Sequence, residues 1–243
     1  MKNSLIQIGT PPVGSYDGIL MRANPMLHEE AFGILTNHAA SGARVIDVGS
    51  GQGAFAARLR DSGYSVVCVD KNPSDFRASD VKFVAVDFDI PGQIETFTRD
   101  HREGYDVAVG MEVIEHVENP WEYCRFLLSL VRPNGIVLLT TPNAESVQSR
   151  LDFLFSGIFA HFGRSDYVQS GHINPLTFQE LHLIAEALGA ETVSASAICP
   201  LPWLIVSRRP SVVFGSIFAS LLRPFVGAKA KGDIICFVLR KTC

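Results

Sequence analysis

The sequence predicts an α/β fold: a doubly wound, mostly parallel sheet that ends in an antiparallel hairpin and carries a helical cap. Three observations support this. Short apolar runs alternate with helical patterns from about residue 43 to 141, as in a parallel sheet covered on both faces. The first run leads into a glycine-rich loop that opens a helix. The last two apolar runs have no ordinary crossover between them, which suits antiparallel partners.

In chain order, residues 1–40 read as helices packing over the site, and 41–243 as the main domain. Arg44–Val48 is a buried strand, Ala54–Asp61 a helix and 65–69 a second strand. Strands three and four follow at 82–86 and 106–109. Residues 121–131 form a helix, with Phe126, Leu127, Leu130 and Val131 at helical spacing. The turn Pro133-Asn134-Gly135 introduces a fifth strand at 136–140. Thr177 reads as the N-cap of a helix over 177–188, stopped by Gly189. Strands at 190–197 and 233–240 complete the pattern. Two apolar stretches, at about 144–175 and 200–232, read as insertions.

Composition narrows the function classes. A formal charge of −4 over 243 residues gives no basic footprint for nucleic acid. The five cysteines, Cys68, Cys124, Cys199, Cys236 and Cys243, are scattered and odd in number, with no C-x-x-C pair. That argues for a reducing compartment and against a disulfide framework or a cysteine zinc site. The first residues lack a signal peptide's apolar core, and no run of about 18 apolar residues occurs, so the expectation is a cytoplasmic chain without a spanning helix.

The strongest local motif is Val45-Ile46-Asp47-Val48-Gly49-Ser50-Gly51-Gln52-Gly53. A strand running into alternating glycines and then a helix lets backbone approach a ligand, with helix N–H groups facing it. Gly49 and Gly51, with Ala54, also satisfy the dinucleotide pattern, so the loop alone does not separate a nicotinamide from an adenosylmethionine site. Asp70 ends the second strand 21 residues after Gly49, where a carboxylate accepts from ribose hydroxyls common to both. Asp87 and Phe88 end the third strand, where an acid could accept from an adenine amino group and a ring could pack on the base. A solvated acid and a core phenylalanine explain that pair equally well.

The segment Tyr105-Asp106-Val107-Ala108-Val109-Gly110-Met111-Glu112-Val113-Ile114-Glu115-His116-Val117-Glu118-Asn119-Pro120 resembles the fourth-strand motif of class I methyltransferases, above all the ubiquinone-biosynthesis O-methyltransferase group. The block from Arg132 to Asn143 resembles their fifth strand and exit loop. With the glycine loop, the resemblance covers roughly residues 43–143. It implies a seven-stranded Rossmann-like methyltransferase sheet and S-adenosylmethionine as cofactor. It implies cofactor contacts at Gly49, Asp70 and Met111, with Asp47, Gly51, Gly53, Asp87 and Phe88 around them. It says little about the acceptor.

Methyl transfer to a hydroxyl requires positioning of two reactants and removal of a proton. Glu112, Glu115 and His116 follow the fourth strand at i, i+3 and i+4, which on a helix places them on one face. His172 lies before the helix at Thr177. The E-x-x-E-H…H set resembles the metal site of small-RNA 2′-O-methyltransferases. Two carboxylates and two imidazoles could hold Mg²⁺, Mn²⁺ or Zn²⁺. Glu112 and His116 are the candidate catalytic groups, with His116 as a base if no metal is used, and a structural role for His116 stands beside both. His28, His38, His101, His161 and His182 show no comparable clustering and read as ordinary.

Residues 151–162 and 201–226 are unusually apolar. In the second, Phe214, Ile217, Phe218, Leu221 and Leu222 share a helical face, Gly215, Ser216, Ala219 and Ser220 lie opposite, and Arg208, Arg209, Arg223, Lys229 and Lys231 flank them. That pattern suits a peripheral membrane contact, a lid over a lipophilic small-molecule acceptor, or a homodimer contact. A nicotinamide oxidoreductase would need a second half-sheet and a Tyr/Lys or similar pair, which the sequence does not offer. A non-catalytic binding protein on the same fold is the third reading.

Overall fold

A computed structural model describes residues 6–8, 13–88, 90, 92–206 and 210–242. Its centre is a seven-stranded sheet. The strands are β4 (Arg44–Val48), β5 (Ser65–Asp70), β6 (Lys82–Ala85), β7 (Tyr105–Met111), β8 (Val131–Pro142), β9 (Ala190–Pro200) and β11 (Gly232–Lys241). Their order is β6-β5-β4-β7-β8-β11-β9. β11 alone runs against its neighbours, pairing antiparallel with β8 and β9, while the remaining pairs are parallel. The order reverses between β4 and β7, so a crevice opens there at the strands' carboxyl ends.

Two helical layers close the sheet. On one face α3 (Gln93–His101), α4 (Pro120–Leu130) and α7 (Phe178–Ala187) bury Phe97, Leu127, Leu130, Leu181 and Ile184 against Ile46, Ala108, Val137 and Phe237. On the other, α1 (Leu27–Thr36) and α2 (Ala54–Asp61) bury Leu27, Leu35, Phe55 and Leu59 against Val45, Val107, Leu138 and Val238. Burying a leucine or phenylalanine stabilises by about 1.5–3 kcal/mol, so the apolar strands demand both layers. Cys68, Cys124, Cys199 and Cys236 are free and buried in this core.

Residues 1–40 differ from the helical expectation. The described part holds one helix, α1, and a hairpin of β2 (Gly14–Tyr16) and β3 (Ile19–Met21). The cause is the Asp17-Gly18 pair: both residues have positive φ, +51° and +75°, as a tight type I′ hairpin turn requires. A short strand β1 (Ile6–Ile8) pairs with β10 (Leu204–Val206) inside the second insertion.

The insertions are helical. The first carries α5 (Val147–Ser156) and α6 (Arg164–Ser170), and the second α8 (Pro210–Leu222). α8 turns its small side inward, with Ser216 and Ala219 buried, and its apolar side outward. Phe214 is 70% exposed and Leu221 65%, with Ile217 and Phe218 beside them. Leu154 and Phe155 of α5 are exposed as well. Arg223, expected as a surface cation, is instead buried. It lies over the Trp203 ring at 4.9 Å and donates to the Leu201 carbonyl. Arg208 and Arg209 fall outside the described residues. No helix among the described residues is long and apolar enough to cross a membrane.

Candidate active site

The glycine loop sits at the carboxyl end of β4. Gly49 N–H donates to the Val69 carbonyl at 2.7 Å, and Gly51 N–H to Asp70 Oδ2 at 2.8 Å. Asp70 Oδ1 accepts from Asn72 N–H at 3.2 Å, so one carboxylate fixes the loops after β4 and β5 together. Gly49, Gly51 and Gly53 all have positive φ, which side chains rarely adopt. A Cβ at Gly49 would lie 2.4 Å from Val113 Cγ2 and one at Gly53 2.6 Å from Phe76 Cε2, whereas one at Gly51 would meet nothing within 4 Å. The loop is thus tightly packed behind and open at Gly51, the form of a cradle for a ligand.

Asp47 lies beneath this loop, 2% exposed, and Oδ2 has no hydrogen-bond partner among the described residues. Burial, aided by the negative charge of Asp70, pushes its carboxyl up to about 7. Its place is under the cradle rather than on its surface. Asp87 and Phe88 follow β6 and are half-buried. Phe88 packs on Phe126 with ring centroids 5.6 Å apart, and the Asp87 N–H donates to Gln93 Oε1 at 2.8 Å. Met111 ends β7, half-buried and in register with Thr140 of β8.

The acidic segment after β7 is not helical, contrary to the spacing argument. α4 begins only at Pro120, because Asn119 caps it: Oδ1 accepts from Trp121 N–H at 3.1 Å and Glu122 N–H at 3.2 Å. Residues 112–119 instead form a looped turn, started by Glu112 at φ +52°. Glu112 therefore points to β8, where Oε1 accepts from Thr140 Oγ1 at 2.9 Å. Burial raises its carboxyl to about 7.

Glu115, His116 and His172 do meet, with one donor atom from each lying within 4.8 Å of the others. Backbone bonds bring them together: Ile173 and Asn174 N–H donate to the Glu115 carbonyl at 2.9 and 3.1 Å. Glu115 is fully buried, with His116 Nε2 at 3.8 Å from Oε1 and neither carboxylate oxygen within hydrogen-bonding geometry of a donor among the described residues. Burial drives its carboxyl well above the usual range, and the Glu112 charge adds to this. Burial and the neighbouring His172 lower the His116 imidazole, favouring its neutral form. Glu112 stands apart from this trio. Donors shared by one ion at 2.0–2.2 Å lie about 3–4 Å apart, so the trio would have to close by roughly 1 Å.

His161, read from sequence as ordinary, lies beside this trio. Its Nε2 hydrogen-bonds Asp233 Oδ1 at 3.0 Å, and its carbonyl accepts from His172 Nδ1 at 2.8 Å. The Asp233 bond is the main reason that its imidazole is raised to about 9. Local spacing could not reveal the pair, since the partners lie 72 residues apart. The available signal was an acid at the start of the last strand, beside the exit of β8. His28, by contrast, is buried edge-on to Phe55 and lowered to about 4, chiefly by desolvation.

A switch-point crevice with a glycine cradle and a strand-end acid on one side and an acid–imidazole cluster on the other has the form of a nucleotide-binding α/β fold. The family model described as "Methyltransferase domain" matches residues 25–195, and the chain belongs to that family. A ubiquinone biosynthesis O-methyltransferase of Rickettsia felis is 33% identical over 132 residues, which is 52% of this chain and 53% of that protein. The chain thus spans about half the length of the curated relatives it matches. A SAM-dependent methyltransferase from Archaeoglobus fulgidus superposes with a TM-score of 0.63 at 17% identity, covering 90% of this chain and 95% of that one. The Burkholderia thailandensis 1,6-didemethyltoxoflavin-N1-methyltransferase, solved with S-adenosylhomocysteine, gives 0.55 at 19% identity over 89% and 78%. At those identities the two structures speak for the fold alone.

Proposed function

We propose that this chain transfers the methyl group of S-adenosylmethionine to a hydroxyl of a small, lipophilic acceptor. The observation that carries the reading is the division of the crevice. β4 and β5 present the open Gly51 and the Asp70 carboxylate. The loop after β7 presents Glu112 and His116, with Glu115 buried beneath them. The first half suits a nucleoside, whose ribose hydroxyls donate to the strand-end acid. The second suits an acceptor that must lose a proton as its oxygen bonds to the methyl carbon and the sulfonium C–S bond breaks. His116, with its neutral form favoured, can take that proton. The O-methyltransferase relatives support a hydroxyl over nitrogen or carbon. Calorimetry should show binding of adenosylhomocysteine and none of NAD. Turnover should appear as adenosylhomocysteine release with a panel of phenols and catechols. NAD binding without adenosylhomocysteine binding would return the chain to the oxidoreductase reading.

A second reading of the trio has its own observation. A buried carboxylate that accepts no hydrogen bond among the described residues, 3.8 Å from an imidazole, calls for a cation or a proton. A divalent ion held by Glu115, His116 and His172 would lower the acceptor's pKa, and carboxylate in the donor set favours Mg²⁺ or Mn²⁺ while imidazole admits Zn²⁺. Full activity after chelation would leave His116 as the base.

The outward apolar face of α8, with Leu154 and Phe155 of α5, supports docking on an anionic lipid surface. Residues 200–231 carry five cations and no acid, and Lys229 and Lys231 are exposed. Co-sedimentation with phosphatidylglycerol vesicles but not with phosphatidylcholine vesicles tests this. Concentration-dependent dimerisation in place of vesicle binding would assign the face to a second copy.

A further inference from the structure

Asp233 is the second residue of β11, next to Ile234, which pairs with Pro142 at the exit of β8, and Glu112 follows Met111, which pairs with Thr140. Both acids therefore sit at the same carboxyl edge, on the half of the sheet away from the glycine loop. Asp233 is held firmly. Its Oδ2 accepts from Asn24 Nδ2 at 3.4 Å, and its carbonyl accepts from Asn143 N–H at 2.8 Å. Its Oδ1 takes His161 Nε2 at 3.0 Å, which leaves Nδ1 as the ring's other polar atom. The His161 side chain is 42% exposed, so the ring is tied through Nε2 while part of it stays open to solvent.

The backbone agrees with a functional placement. His161 has φ +68°, and Glu112 and Cys199 are also left-handed at +52° and +54°. Ordinary turns adopt this backbone as well, as at Asp17, and it also gathers at functional sites. The charges of Glu112, Asp233 and His161 also influence one another.

We propose that His161, oriented by Asp233, is an acceptor-binding residue whose ring hydrogen-bonds an oxygen of the acceptor over the β7–β8–β11 half of the crevice. The inference rests on the methyl-transfer reading and deepens it: the acceptor carries an oxygen within reach of His161 besides its apolar body. The acid–imidazole pair plays the part that Asp70 plays on the nucleoside side, and it joins the first insertion to the sheet at the acceptor.

The test uses His161→Asn, because asparagine tolerates a left-handed backbone and keeps the carbonyl that holds His172. With a catechol or phenol turned over by the wild type, KM for that probe should rise at least about 10-fold, the loss of one hydrogen bond to a charged group. Affinity for adenosylhomocysteine should stay within about twofold. Asp233→Asn should raise KM by a smaller factor, since the ring remains but is no longer held. In ¹⁵N-histidine spectra, adding the probe to the adenosylhomocysteine complex should shift the ring signals that vanish in His161→Asn. Unchanged KM in both variants, with normal turnover, overturns the inference alone. A wild type that binds adenosylhomocysteine yet methylates no hydroxyl probe overturns the hydroxyl reading and this inference together. Should His161→Asn fail to fold, judged by thermal unfolding, Asp233→Asn and the ring spectra carry the test.

Discussion

Gly51→Ala separates the cofactor reading from the stability of the fold. The three loop glycines share a positive φ, but a methyl group added to each meets different surroundings. At Gly49 it would collide with Val113, and at Gly53 with Phe76 and Ala78, at 2.4–2.8 Å. At Gly51 it would meet no protein atom within 4 Å, with φ at +53°. The cost to folding is then mainly backbone strain, about 1–2 kcal/mol. For a chain of this size that lowers the melting midpoint by roughly 2–8 °C. A methyl group pushed into ligand contact costs a further ~1–3 kcal/mol of binding, or roughly 5- to 150-fold in Kd. Calorimetry with adenosylhomocysteine, run beside thermal unfolding, reads both quantities. Gly53→Ala serves as the contrast, with a larger loss of stability because Phe76 and Ala78 must move. An affinity for Gly51→Ala within twofold of wild type would refute the placement of the cofactor against this loop.

Further outcomes follow from the same geometry. Asp70→Ala should weaken adenosylmethionine by about 1.5–3 kcal/mol, while Asp70→Asn, which keeps an oxygen for the Gly51 N–H, should lose less; equal affinity in all three proteins would count against the ribose role. His116→Ala should lower turnover by about 100-fold or more with cofactor affinity nearly intact, and a loss under about threefold would make His116 structural. Burial raises Asp47 from 3.8 to about 7, so between those values the folded chain keeps a proton that the unfolded chain has released. Stability should therefore fall as pH rises across that window and stay lowered above it. Asp47→Asn should make the fall shallower in urea titrations, with Glu112 and Glu115 supplying the remainder, and exceed wild type in stability at alkaline pH; an unaltered slope would show that Asp47 does not contribute. Treatment with a chelator should reduce turnover, with recovery on adding Mg²⁺, Mn²⁺ or Zn²⁺, if the Glu115–His116–His172 trio holds an ion.

What the sequence revealed was what near neighbours in the chain determine. Arg44–Val48 and Ala54–Asp61 lie where their apolar runs and glycines placed them, and Asp70 faces the loop it was paired with by spacing. The antiparallel relation of β9 and β11 was legible because no crossover separates them except an insertion. Boundaries set by a cap competing with a pattern were harder. Glu112, Glu115 and His116 have helical spacing, but Asn119 and Pro120 start the helix later, and that signal was present in the same motif. The Asp17-Gly18 hairpin carried its own turn signal inside a segment read as helical. His161 and Asp233 could not be paired by spacing, because only the return of β11 beside β8 brings them together. Which side of α8 faces outward was equally hidden: the pattern defined an apolar face, and the packing of Ser216 and Ala219 decided that it points away from the domain.

The four buried thiols give this chain internal reporters of its own motions. Cys124 is on the buried face of α4, Cys68 and Cys236 lie in the sheet, and Cys199 sits where β9 meets α1 through the bond from its N–H to Glu30. Burial pushes the Cys124 and Cys236 thiols up to about 12 and raises Cys68 and Cys199 as well. An alkylating reagent needs both access and thiolate, so it labels each site only while that part of the molecule is open. Labelling resolved by mass spectrometry would then rank the layers by how often they breathe, and repeating it with adenosylhomocysteine would show which layers the ligand quiets.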